Sequence, residues 1–135
     1  MRRLSPVLVL ALAALLLAVA GCGGSDESDE ESATPAEAVT EIEEIKTMLA
    51  AAVDQVRDGD ADAAEETVGD AYLEHFEHVE APLGERDHDL MEELEEAIST
   101  DLRNDIKDGK PADEIQTEVD AITTDLDKAV EVLQG

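Results

Sequence analysis

The densest run of donor atoms in the chain is Tyr72-Leu73-Glu74-His75-Phe76-Glu77-His78-Val79-Glu80, where carboxylates and imidazoles of the kind that ligate Zn or Fe fall about one helical turn apart. Glu74 with His78 is one such pair and Glu77 with Glu80 another. A metal centre needs about three or four convergent ligands, so a pair on one helix must recruit a second helix. Projected as α-helix at about 100° per residue, this segment puts His75 within roughly 20° of Val68, on the face expected to be buried. The same projection of the next helical segment puts Asp101 and Asp105 on either side of Leu94, each within about 20° of it. Burying an unpaired carboxylate is costly, and a histidine or a cation is the obvious compensation. His75, Asp101 and Asp105 are therefore expected as one inward-facing cluster able to take a proton or a divalent cation, with Glu77 and Glu80 as a second, exposed pair. The competing expectation is a neutral core histidine, a helix end wet enough to solvate both aspartates, and an acidic solvated face.

Nothing in the chain points to catalysis. Ser99 and the threonines sit in no Gly-x-Ser-x-Gly turn, and there is no glycine-rich phosphate loop and no His-Glu-x-x-His. Glu85-Arg86-Asp87-His88 has the Glu-x-x-His spacing of di-iron bundles, but in a predicted loop and without a second copy. The chain is read as non-enzymatic.

These side chains must be positioned by helices. Thr34-Pro35-Ala36-Glu37 reads as a helix start, with threonine as N-cap, proline at the first position and glutamate three residues past the cap. Ala38, Ile42, Ile45, Leu49, Ala52, Val53 and Val56 follow at three- and four-residue steps until Gly59. A second helix, beginning near Asp60 or Asp62, carries Ala64, Val68, Ala71, Tyr72, Phe76 and Val79 inward and is expected to break at Pro82 and Gly84. Asp87 can cap a third, whose apolar set is Leu90, Met91, Leu94, Ala97, Ile98, Leu102 and Ile106, ending at Gly109. Pro111 opens a fourth, with Ile115, Val119, Ile122, Leu126, Ala129 and Leu133 in a regular heptad. Val56-Arg57-Asp58-Gly59 recurs as Ile106-Lys107-Asp108-Gly109, an apolar residue, a cation and a glycine at two helix ends. Short connections predict an all-α, up-down-up-down four-helix bundle over residues 34–135.

The N-terminal part carries an address instead of a fold. Arg2 and Arg3, an apolar block from Val7 to Ala20 and the small residues before Cys22 form a charged region, a hydrophobic region and a cleavage site. The residues after Cys22 are polar and acidic, not a positive stop, so residues 1–21 read as a lipoprotein signal peptide and Cys22 as the lipidated residue. Residues 22–33 then form a flexible acidic linker, and the product is expected to be extracytoplasmic, anchored by lipid to the outer face of the cell membrane. Cys22 is the one cysteine, so no intramolecular disulfide is available.

Composition excludes several partners. The chain has 9 Lys+Arg against 36 Asp+Glu, and losing Arg2 and Arg3 leaves 7 against 36, or -29. Nucleic acid is ruled out as a partner by that sign of charge. With one tyrosine, one phenylalanine and no tryptophan, no stacking platform for bases, sugars or flavins can be built, and the core must be aliphatic.

One resemblance gives the metal reading a direction. Ala71-Tyr72 followed by His75-Phe76-Glu77-His78-Val79-Glu80, then Pro82-Leu83, Asp87, Glu93-Leu94-Glu95, Leu102-Arg103, Ile106 and Gly109, resembles the small extracytoplasmic helical domain that accompanies bacterial high-affinity iron permeases. The likeness spans residues 36 to 134 in helix layout and the central third in motif. It implies that the domain meets iron before the membrane channel does, with Glu77 and Glu80 on the cation and an iron permease or another envelope protein as partner. The family's membrane segment with its paired-glutamate motif is absent, which implies an accessory lipoprotein and not the permease. The chain also resembles periplasmic iron-uptake lipoproteins in anchor and helices, without their His-x-x-Glu signature, since His75 is followed by His78.

The sequence therefore leads to a membrane-anchored, metal-cation binding accessory module of an uptake system, with iron or another divalent cation as cargo. The alternative is a structural or protein-interaction lipoprotein with no bound metal, acidic for solubility in high salt.

Overall fold

The computed structural model of the protein describes residues 33–135. The expected signal segment, the expected lipidation site Cys22 and the expected linker as far as residue 32 lie outside the described residues. Those described are all helical, with no strand among them. Four helices follow one another: α1 (Pro35–Asp58), α2 (61–84), α3 (88–107) and α4 (Ala112–Gln134). None of them is long and apolar enough to cross a membrane.

The helix starts follow local chemistry. Thr34 and Glu37 make a capping box, with the Thr34 amide donating to Glu37 Oε2 at 2.8 Å and the Glu37 amide to Thr34 Oγ1 at 3.3 Å. Asp60 caps α2 by accepting from the Ala63 amide, and Asp87 caps α3 by accepting from the Leu90 amide, each at 3.1 Å. The repeated helix end is a structural repeat as well. Gly59 and Gly109 take φ of 84° and 74°. The amide after each bonds six-to-one, Asp60 to the Gln55 carbonyl and Lys110 to that of Asp105.

Polar contacts tie the helices to one another across the bundle surface. Lys46 reaches Asp127 while Arg57 reaches Gln116, and Arg103 and Lys107 reach back to Glu65. The core these contacts enclose is aliphatic apart from Phe76, and among the described residues no polar or charged side chain is buried.

Two departures from the expected helices decide what faces that core. Helix α2 does not stop at Pro82 but runs through it to Gly84, with Pro82 itself buried. The carbonyl deprived of its donor there belongs to exposed His78, where water can take the place of the lost bond. The larger departure is that α2 and α3 each contain a π-helical segment, Ala71–Phe76 and Ala97–Asp101. The Glu77 amide bonds to the Tyr72 carbonyl and the Leu102 amide to that of Ala97, each five residues back where an α-helix would reach four. Each segment inserts one extra residue and sets back everything after it by about 100°.

Candidate functional site

That setback removes the expected inward cluster. In an unbroken helix His75 would share the face of Val68, but with one residue inserted Phe76 takes the place and is fully buried. On α3 the same slip replaces Asp101 and Asp105 by Leu102 and Ile106, both in the core. The three ionisable groups point three ways. His75 is half-buried against α1, its Nδ1 2.6 Å from Glu41 Oε2. Asp101 is exposed. Asp105 turns toward the α3–α4 corner, where it accepts from Lys110. They are also far apart along the helices, because Tyr72 meets Glu95, six residues before Asp101. The expectation of a single buried polar site between α2 and α3 is corrected accordingly.

The seam between α2 and α3 instead holds a different group, built around the chain's one tyrosine. Tyr72 lies in the π segment, stacked on Phe76 with ring centroids 6.0 Å apart. Phe76 is held in the core, so it fixes the ring and sends the hydroxyl to the rim. There it stands 3.1 Å from Glu80 Oε1 and 3.4 Å from Glu95 Oε1, with one proton for two carboxylates. Burial pushes the Tyr72 hydroxyl up to about 12, and Glu80, Glu95 and Glu77 push the same way. Burial also raises Glu80 above the ordinary carboxylate range; the bond from Tyr72 works against that rise, and the charges on Glu95 and Glu77 add to it. Glu95 borders an open groove of about 400 Å³ shared with Glu92, Glu96, Ser99 and Thr100, so the rim is reachable from solvent.

Of the residues singled out in the sequence, the structure thus joins Glu77 and Glu80 to one neighbourhood and leaves His75, Asp101 and Asp105 elsewhere. Among the described residues no three His, Asp or Glu side chains stand ready to hold a metal ion as they are. The exposed His88 is drawn to Glu92 at 3.3 Å, an i,i+4 contact, so Glu85 and His88 are not a ligand pair.

Glu41, Glu95 and Glu118 are the participants that sequence reasoning passed over. Each borders an apolar stripe: Glu41 is three residues past Ala38 and four before Ile45, and Glu118 is three past Ile115 and four before Ile122. That boundary spacing was the available signal, since such residues keep their stems in the seam and their carboxylates at its edge. Glu118 is the extreme case. Burial lifts its carboxyl to about 7, helped by a hydrogen bond with Asp105 and by the charges of Asp105 and Asp101, while Lys110 opposes the rise.

Compared with known proteins, the chain matches no family model, no curated protein and no solved structure.

Proposed function

We propose that this chain is a surface-tethered, non-enzymatic up-down-up-down bundle that captures a metal cation, iron being the ion that the resemblance implies. The observation that carries the reading is the Tyr72 hydroxyl held between Glu80 and Glu95 with Glu77 beside them, a place where burial and mutual repulsion raise a carboxylate that a cation would relieve. These are hard-oxygen donors, suited to a hard cation, and a phenol joins them. Two carboxylates already within reach of one hydroxyl need only modest rotamer changes to close on an ion at about 2.0–2.2 Å. The high negative charge of the chain, -27, raises the local concentration of any cation at that rim. Attachment would come from lipid on Cys22, which keeps the bundle at the membrane face where an uptake protein works.

Thermal melts of the purified protein with Fe²⁺, Fe³⁺, Zn²⁺ and Cu²⁺ test the reading. An ion at about 100 times its Kd stabilises the fold by about 2.7 kcal/mol, and Glu80→Gln and Glu95→Gln should each remove most of that rise. If no ion raises the melting temperature, or if both variants respond like the parent, the metal reading fails and the structural or protein-interaction lipoprotein is left.

A further inference from the structure

Away from the tyrosine group, the same α2–α3 seam opens into a groove of about 440 Å³, with Gly69 at its floor and Arg103 on its α3 side. Gly69 is buried and has no side chain to fill the space above it; a Cβ there would meet the Arg103 guanidinium carbon at 3.6 Å. Arg103 is pinned in place. Its Nε donates to Glu65 Oε1 at 2.8 Å, its Nη2 bonds to the same oxygen, and Lys107 reaches that oxygen at 3.1 Å. The two cations beside the groove are thereby spent on one carboxylate.

The α2 side keeps its charge. Asp62, Glu66 and Asp70 line the groove about one turn apart, all three are exposed, and none has an ion-pair partner among the described residues. Leu73 continues their row three residues on and lines the same groove. It is the one large apolar side chain left exposed among the described residues, at 55%. A lone exposed leucine is ordinary on a protein surface, but this one closes a groove beside three unpaired carboxylates.

Charge decides what can fill that groove. A second copy would bring its own Asp62, Glu66 and Asp70 against these, and anionic headgroups or nucleic acid would be repelled in the same way. The complementary occupant carries cations at the spacing of the acid row. From Asp62 to Leu73 that row runs about 16 Å, or three turns, and a row repeating once per turn is matched by cations repeating once per turn on a helix laid alongside.

The geometry points to this groove as a docking face for a basic helix of a partner protein, whose lysines or arginines pair with Asp62, Glu66 and Asp70 and whose apolar side chain covers Leu73. The face uses none of Tyr72, Glu77, Glu80 and Glu95, so it stands apart from the cation reading. Covering the exposed part of Leu73 should tighten binding by about tenfold. The carboxylates act mainly on encounter and orientation, and their effect fades as salt screens it.

Amide chemical shifts of the full chain in metal-free buffer, titrated with two synthetic helical peptides of alanine and lysine, test this. Both peptides carry lysines at four-residue steps; one has a leucine at either end of the lysine row and the other has alanine there. The leucine peptide should bind about tenfold tighter, with shifts centred on residues 62–73 and on Arg103. Leu73→Ala should erase that preference, whereas Glu66→Gln combined with Asp70→Asn should weaken both peptides and leave the preference intact. Equal affinity of the two peptides for the parent, a preference that survives Leu73→Ala, or shifts spread over the other acidic faces overturns the docking face. Sedimentation of the parent alone as a dimer that Leu73→Ala dissolves gives the groove to a second copy and overturns the basic partner.

Discussion

Replacing Leu102 and Asp101 by alanine, one at a time, tests the register that the π segments impose. The two residues are adjacent, yet in an unbroken α3 Asp101 would face the core and Leu102 would not, whereas the structure buries Leu102 completely and exposes Asp101. Leu102→Ala removes three buried carbons, about 2.4 kcal/mol of transfer free energy, and leaves a cavity that brings the loss to about 3–5 kcal/mol. At about 4–8 °C per kcal/mol for a domain of this size, the melting temperature should drop by roughly 12–40 °C. Asp101→Ala removes an exposed side chain and should stay within about 0.5 kcal/mol. The α2 pair repeats the design: Phe76→Ala should cost about 3–5 kcal/mol, and His75→Ala, which gives up a half-exposed contact with Glu41, no more than about 1 kcal/mol. Urea melts followed by circular dichroism measure all four. A loss below about 1 kcal/mol for Leu102→Ala, or equal losses for Leu102→Ala and Asp101→Ala, would refute the inserted residue and restore the inward aspartates.

Gly69→Ala should stabilise the fold by about 0.5–1 kcal/mol, because a Cβ there meets Arg103 Cζ at an ordinary 3.6 Å and glycine is a poor helix former; Gly59→Ala, at φ 84°, should destabilise by about 1 kcal/mol in the same melts. Tyr72 is the one tyrosine and there is no tryptophan, so ultraviolet absorbance isolates its ionisation. The tyrosinate band should appear near pH 12, and the stability tied to the raised hydroxyl should be lost as pH climbs from 10 toward 12; a midpoint near 10 would contradict the burial of that hydroxyl. Self-repulsion at a formal charge of -27 should weaken the helices in about 10 mM salt relative to 1 M, where the Debye length falls from about 30 Å to 3 Å, and identical melts would dismiss the effect.

Most of the helical frame was legible because it rests on local rules. The Thr34-Glu37 box, the Asp60 and Asp87 caps and the left-handed Gly59 and Gly109 involve partners no more than five residues apart, and each residue type admits few alternatives. The α1 and α4 stripes mix three- and four-residue steps, averaging near 3.6, and every stripe residue of α4 is buried where expected. The candidate site was less legible. Glu77 and Glu80 lie in a conspicuous acidic run, but their seam partner Glu95 comes from another helix, and proximity across a seam is not a property of spacing.

The α3 stripe shows where sequence stops and tertiary structure begins. Leu94, Ile98, Leu102 and Ile106 repeat in three successive steps of four, which in a regular α-helix drift by about 40° each and leave the face after the third. The sequence alone determined that these residues want to be buried together and that an α-helix cannot quite do it. Two resolutions were open: keep the regular helix and let Asp101 and Asp105 turn inward, or break its geometry and keep the apolar set. Only packing against α2 and α4 decided, because one distorted turn loses part of its hydrogen-bond quality, whereas two carboxylates facing an aliphatic core would each incur several kcal/mol of desolvation.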